Sequence, residues 1–210
     1  RLGGLTDITS YSTENSKHIS TGDGGIVVTD DEELAVSMRK FGSLGYKAMK
    51  AGEGRVRLSK SFFQDPDYKR HDSFGFNYRM PEVAAALGLA QTERYEHFTE
   101  LRKSIGKMYL ECLKDCDFFI PQSTPVGYSN SFWTFAARFI HPDISWYDFR
   151  DKFVEFGGES IFASWALLYE EPIISERQFV KHCPDIYQDL EFNLGICPNA
   201  EKIQPQLMQF

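Results

Sequence analysis

A lysine set among hydroxyls, between a strand-like run and a glycine-rich turn, is equipped for carbonyl chemistry. In Ser12-Thr13-Glu14-Asn15-Ser16-Lys17-His18-Ile19-Ser20-Thr21-Gly22-Asp23-Gly24-Gly25 the amine stands five residues after a serine at a strand end. A lysine held in a pocket loses its proton readily and can form a Schiff base with a carbonyl. Ser12 could donate to an anion such as a phosphate, while Gly22, Gly24 and Gly25 allow a sharp turn and close backbone approach. Spacing alone leaves a second reading open, an ordinary surface lysine beside a turn. Gly-x-Gly-Gly lacks the separations of a nucleotide fingerprint, and no Gly-Lys-Ser/Thr occurs.

A second chemical signal is charge. Between residues 47 and 70 lie Lys47, Lys50, Arg55, Arg57, Lys60, Lys69 and Arg70 against only Glu53, Asp65 and Asp67, in a chain whose formal net charge is -7. Either the sign of this stretch is accidental, on a solvated loop, or it is a flap that meets an anionic ligand. The cysteines carry less. Cys112-x-x-x-Cys116 does not have zinc spacing, and Cys183 and Cys197 stand near prolines, so all four read as reduced and structural, with no metal site expected.

The elements that must hold these residues follow from pattern. Residues 7–12 and Ile26-Val27-Val28-Thr29 read as short buried strands flanking the lysine loop. Asp30 or Asp31 caps a helix from Glu32 that Gly42 stops. From Ser43 to Asp72 there is no amphipathic period, and so long a loop in a compact domain is functional or disordered. Pro81 opens a long helix whose pattern runs through Leu101, Ile105, Met108 and Leu113 and must end before Pro121. A strand at 132–140 follows, then a helix with a Ser145/Asp148 capping box ended by Gly157-Gly158, then a strand at Ser160–Ala163. The tail carries a weak helix near 176–182. This order is α/β, with a domain boundary near Asp117–Asn130.

Composition bounds the class. The 210 residues suit one domain or one domain plus a small appendage, and 42% hydrophobic with 25% charged residues excludes a disordered, collagen-like or coiled-coil chain. There is no apolar run long enough to span a membrane. An acidic chain without a basic tail is a poor nucleic-acid binder. No signal sequence is visible, so a cytoplasmic protein is expected; Arg1 and Phe210 look like cut ends, so the chain reads as a segment of a longer protein.

Three pieces occur in order: Ser12…Lys17…Thr21-Gly22-Asp23-Gly24-Gly25; Gly75-Phe76-Asn77-Tyr78-Arg79-Met80 with Ala84-Ala85-Ala86 and Gln91; and Cys197-Pro198-Asn199-Ala200-Glu201. Together they resemble the sugar aminotransferases of the DegT/DnrJ/EryC1/StrS family, which depend on pyridoxal 5'-phosphate (PLP). The resemblance implies an α/β fragment of a fold-type-I PLP-dependent transferase. Residues 1–116 would be the later part of the large-domain mixed sheet plus the interdomain helix. Residues 117–210 would be an incomplete small C-terminal domain.

The resemblance also implies roles. Lys17 matches the lysine of the internal aldimine, which also shuttles the substrate proton, and Ser12 matches the serine that binds the cofactor phosphate. Asn77 matches the asparagine that reaches that phosphate from the neighbouring subunit, which implies a homodimer with shared active sites. His18, Arg79, Arg70 and His71 are candidate substrate contacts. For Arg79, pinning its own loop is an equal alternative. Related sugar 3-dehydratases carry histidine at the lysine position; counting from Ser12, the fifth residue here is Lys17 and the sixth His18, so the aminotransferase reading is preferred. The expected reaction moves an amino group, from glutamate, to a keto sugar, either nucleotide-linked or acidic, for lipopolysaccharide or another cell-surface polysaccharide. The style of residues 47–72 and 159–165 is similar to the branch acting on the 8-position of octulosonate sugars. The rival readings are a non-catalytic sugar-binding or regulatory relative and an inert fragment.

Overall fold

Two β-rich runs close the lysine loop by pairing with each other. β1 (Thr9–Ser12) and β2 (Gly25–Val28) run antiparallel, with Thr9 opposite Val28 and Ser12 opposite Gly25, so residues 13–24 leave and return at one point. The computed structural model describes residues 4–52, 58–182, 184–190 and 195–210. Glu53, Arg55, Arg57 and Cys183 lie outside these described residues.

Both strands were expected to be buried, and neither is. Ile26, Val27 and Val28 are 51%, 53% and 39% exposed. β-branched residues favour extended backbone, but burial needs a packed second layer. Here β2 instead faces an open cleft of ≈ 850 Å³, bounded across from Val27 and Val28 by Met38 and Phe41 of α1 (Glu32–Phe41).

That helix ends as its sequence dictates. Asp31 Oδ1 accepts from the backbone N–H groups of Glu33 (2.8 Å) and Leu34 (3.0 Å). Glu32 and Glu33 sit in the first turn and Arg39 and Lys40 in the last, complementing the helix dipole. Gly42 closes it.

Two described parts of the aperiodic stretch after α1 take up a ribbon with the residues that follow it, and a third is the single turn of α2 (Lys60–Phe63). Residues 43–47 run antiparallel to 70–77: Ser43 pairs with Asn77 and Tyr46 with His71. Lys47 N–H donates to the Arg70 carbonyl (3.0 Å), and Asp72 N–H to the Gly45 carbonyl (3.1 Å). Gly45 has φ +72°, and a Cβ there would lie 1.7 Å from the Ser73 carbonyl oxygen. Only glycine permits this approach.

One long helix was expected after Pro81, and two are found. α3 (Glu82–Glu93) and α4 (Tyr95–Cys112) are separated at Arg94, and Pro81 is the N-cap of α3. The Thr92 hydroxyl donates back to the Gly88 carbonyl (2.7 Å), a contact that bends helices and here precedes the break.

The chain divides into two compact units, residues 1–98 and 99–210, so the division falls inside α4. The second unit holds an antiparallel sheet of order β3 (Phe119–Pro121), β4 (Ala136–Phe139), β6 (Leu207–Gln209), β5 (Phe162–Ala163). Two of these strands, β3 and β6, were not anticipated. α5 (Trp146–Glu155) carries the expected Ser145–Asp148 capping box and packs Phe149 and Phe153 on the sheet. The buried centre is Phe119, Phe135, Ala137, Phe139, Ile161 and Met208, the last at 0% exposure. Short helical turns α6 (Pro172–Ser175), α7 (Pro184–Tyr187) and α8 (Pro198–Ile203) fill the tail. A 3₁₀ turn at Gln178–Lys181 stands where the weak helix was expected. No helix among the described residues is long and apolar enough to cross a membrane.

Candidate active site

The loop between β1 and β2 is pinned at its neck. Thr13 N–H donates to the Gly24 carbonyl (2.9 Å), and Thr21 N–H to the Thr13 carbonyl (2.9 Å). The two threonine hydroxyls lie 2.7 Å apart, both residues buried, and Thr21 also donates to the Asp23 carbonyl (3.2 Å). Buried hydroxyls must be paired or they destabilise, so each threonine holds the other in place.

The packing around this neck favours glycine at two positions. Gly24 has φ +149°, and a Cβ there would meet both threonine Oγ1 atoms at 3.0 Å and Met80 Cε at 3.2 Å. A Cβ on Gly88 of α3 would come within 2.9 Å of Thr21 Cγ2. The small-residue face of α3 therefore lets the helix press against the loop neck, one of whose two threonines is Thr21 of the quoted motif.

Lys17 sits beyond that neck, half-buried, with its N–H donating to the Glu14 carbonyl (3.0 Å). The Glu14 carboxylate accepts from Ser16 through its hydroxyl (2.6 Å) and its N–H (3.0 Å). Those bonds, and less strongly the Lys17 charge, hold the Glu14 carboxyl below its usual range. The loop thus keeps an anion beside its amine. Ser12 is exposed at the end of β1, its Oγ 3.3 Å from the Glu14 nitrogen as acceptor. Ser12 and Lys17 share one constrained loop, with half-buried His18 next to Lys17.

The remaining candidates stand on the ribbon. Asn77 is exposed, opposite Ser43, and its Oδ1 accepts from the Arg79 N–H at 3.4 Å. The Arg79 guanidinium lies 6.0 Å from the Tyr46 ring centroid. The His71 ring lies against Tyr46, tilted by 32° with centroids 4.8 Å apart, and its Nδ1 lies 2.6 Å from the Leu44 carbonyl oxygen. Arg70 lines a smaller cavity of ≈ 180 Å³ with Tyr46 and Tyr68. Ser12 and Lys17 are brought together on one loop, and Arg70, His71, Asn77 and Arg79 on one ribbon. The larger cleft beside β2 includes none of these residues in its walls.

Sequence reasoning passed over Thr13. Its signal was available: a buried threonine on each side of the lysine, eight residues apart, at the points where the loop must close. The Cys-Pro-x-Ala-Glu piece serves geometry in the second unit. Glu201 Oε1 accepts from Tyr169 Oη (2.8 Å) and from Gly195 N–H (2.6 Å), tying three segments together. Partial burial, then the bond to Glu201, pushes the Tyr169 hydroxyl up to about 12, while those same donors hold Glu201 below its usual range. Cys112, Cys116 and Cys197 are free thiols.

The chain is 32% identical over 108 residues to GDP-perosamine synthase of Escherichia coli O157:H7, covering 51% of this chain and 25% of that protein. It is 28% identical over 193 residues to the putative pyridoxal phosphate-dependent aminotransferase EpsN of Bacillus subtilis, covering 89% and 44%. The chain therefore spans less than half the length of these curated relatives. Among solved structures, the aminotransferase TlmJ from Streptoalloteichus hindustanus matches with a TM-score of 0.72 at 23% identity, over 100% of this chain and 47% of that one. An E. coli GDP-4-keto-6-deoxy-D-mannose-3-dehydratase matches with 0.71 at 20% identity, over 100% and 51%. The fold is that of about half of a fold-type-I PLP-enzyme chain. A model of the family matches residues 1–209, and with it the chain belongs to the DegT/DnrJ/EryC1/StrS aminotransferase family.

Proposed function

We propose that this chain is part of a PLP-dependent sugar aminotransferase in which Lys17 is the catalytic residue. The observation that carries the reading is the loop itself: a half-buried lysine beyond a neck locked by Thr13, Thr21 and Gly24, with Ser12 at its base. The donor set fits pyridoxal 5'-phosphate, offering a primary amine for the aldehyde and a hydroxyl and a carboxamide for phosphate oxygens. At Gly24, φ +149° and contacts of 3.0–3.2 Å to the two threonines and Met80 disfavour any side chain. When bound, the cofactor supplies the electron sink for amino transfer.

In this reading Lys17 Nζ holds the cofactor and then moves a proton at the substrate carbon. Ser12 Oγ and Asn77 bind the phosphate, with Asn77 serving the neighbouring protomer of a homodimer. The loop neck orients the lysine, so little ordering remains at the moment of reaction. Residues 1–116 would belong to the cofactor-binding large domain with the interdomain helix, and residues 117–210 to the small C-terminal domain.

The finer reading takes glutamate as amino donor and a keto sugar as acceptor, with His18, Arg79, Arg70 and His71 as substrate contacts. The basic ribbon favours an acidic sugar, as in the octulosonate branch, in a cytoplasmic enzyme. The fold does not separate aminotransferase from dehydratase, since structures of both kinds match it. Lys17 at the fifth position after Ser12 favours the aminotransferase.

The test is an absorbance spectrum of the full-length protein with added PLP, wild type beside Lys17→Ala. The wild type should show a visible cofactor band that glutamate bleaches. The variant should lose transamination by about three orders of magnitude or more, as expected when the covalent group is removed. Absence of any band in the wild type would overturn the proposal.

A further inference from the structure

Across the ribbon Tyr46 stands opposite His71, so Lys47 stands opposite Arg70, joined through the Lys47 N–H to Arg70 carbonyl bond. Like charges directly opposite each other destabilise an antiparallel pair. Among the described residues, the salt bridges include neither cation. Lys47 is partly compensated, because its Nζ lies 4.3 Å from the centroid of the Tyr68 ring. Among the described residues Arg70 has no such ring contact or ion pair, and it lines the ≈ 180 Å³ cavity together with Tyr46, Met49, Leu58, Phe63 and Tyr68.

An arginine lining an otherwise largely apolar cavity suits a particular chemistry. Its planar fork matches a carboxylate with two parallel hydrogen bonds. Apolar walls weaken screening and favour a short carbon skeleton behind the charged group. The cavity falls below the roughly 300–1,000 Å³ of sites for drug-sized ligands, so a small acid fits and a whole nucleotide does not.

We infer that Arg70, in the cavity it lines, binds the carboxylate of a small ligand, with the Lys47 charge across the ribbon adding to the positive field. The carboxylate can come from an acidic amino donor or from an acidic sugar. Only that choice rests on the proposed transamination; the site does not.

The experiment is calorimetric titration of the full-length protein carrying Lys17→Ala, so that no turnover occurs, with L-glutamate, D-glucuronate and neutral D-glucose. At least one acid should bind saturably. Adding Arg70→Met should weaken that binding about 10- to 100-fold, the loss expected when a charged hydrogen-bond partner is removed. Arg70→Lys should restore part of it. Dependence of glutamate binding on Arg70 would identify the donor as the source, and dependence of glucuronate binding the sugar. Arg70 is exposed, so the melting temperature should not change and lost binding will not reflect unfolding. Binding of neither acid, or equal binding by Arg70→Met, would overturn the inference. A failed cofactor spectrum beside Arg70-dependent acid binding would remove the enzyme reading and leave this site standing.

Discussion

The two units bury different kinds of side chain. In residues 99–210 the buried centre is apolar, four large side chains (Phe119, Phe135, Phe139 and Ile161) and Ala137 packed around Met208. In residues 1–98 the buried side chains among the described residues are hydroxyls, Thr13, Thr21 and Ser43, while Ile26, Val27 and Val28 stay open. The second unit is held by close packing, where a lost methylene leaves a void. The first is held by backbone fit and paired hydroxyls around a loop that displays an amine. Among the described residues, then, the candidate site residues lie in the unit whose buried side chains are hydroxyls, and the apolar cluster lies in the other.

The largest effect that this contrast predicts is in the second unit. Met208 lies on a strand between β4 and β5 and is fully enclosed. Met208→Ala should cost about 2–5 kcal/mol, from lost burial plus the cavity left behind. Urea unfolding followed by tryptophan fluorescence would report it. A cost below about 1 kcal/mol would mean the core collapses onto the gap, and the contrast between the units would weaken.

A smaller effect separates packing from electrostatics inside that same unit. Glu201 is held below its usual range, so its contribution is present above the unfolded value near ~4.3 and is lost as pH falls through the lower folded value. Tyr169 is pushed up to about 12, so its contribution is complete below the ordinary value near ~10 and is lost as pH rises through about 12. Stability from this pair should therefore be full between about pH 5 and 9. Glu201→Gln removes the acid titration while keeping an acceptor for Tyr169. Melting temperatures of variant and wild type should differ within that window and converge as the pH drops toward 3. A difference that stays constant from pH 3 to 9 would show that Glu201 acts through shape alone.

What could be read from the sequence was whatever depends on neighbours along the chain. The Asp31 cap and the Ser145 capping box involve groups two or three residues apart, so both were legible. The lysine loop was legible as a motif because its hydroxyls, amine and glycines are consecutive. β3 and β6 were not, since each exists only by pairing with β4, and Met208 finds Ala137 across a long intervening stretch. The break at Arg94 lies just after a threonine that bonds backwards, a contact that the apolar pattern does not register. Exposure of β2 was hidden for a related reason. Ile-Val-Val states a preference for extended backbone and says nothing of what covers it.

That last point sets the smallest expected effect. Val27 is on β2 and 53% exposed, lining the open cleft rather than a packed core. Val27→Thr keeps a β-branched side chain and exchanges one methyl for a hydroxyl that water can satisfy. In this chain the change should stay within about 0.5 kcal/mol, as for other solvent-facing substitutions. Repeating the measurement at rising protein concentration makes the comparison sharper. If the cost grows beyond about 1 kcal/mol as association sets in, the hydroxyl is being buried without a partner, and the face is covered in the assembly. If it remains near zero at every concentration, β2 keeps its exposure, and the first unit depends on its loop and ribbon for order as the contrast with the second requires.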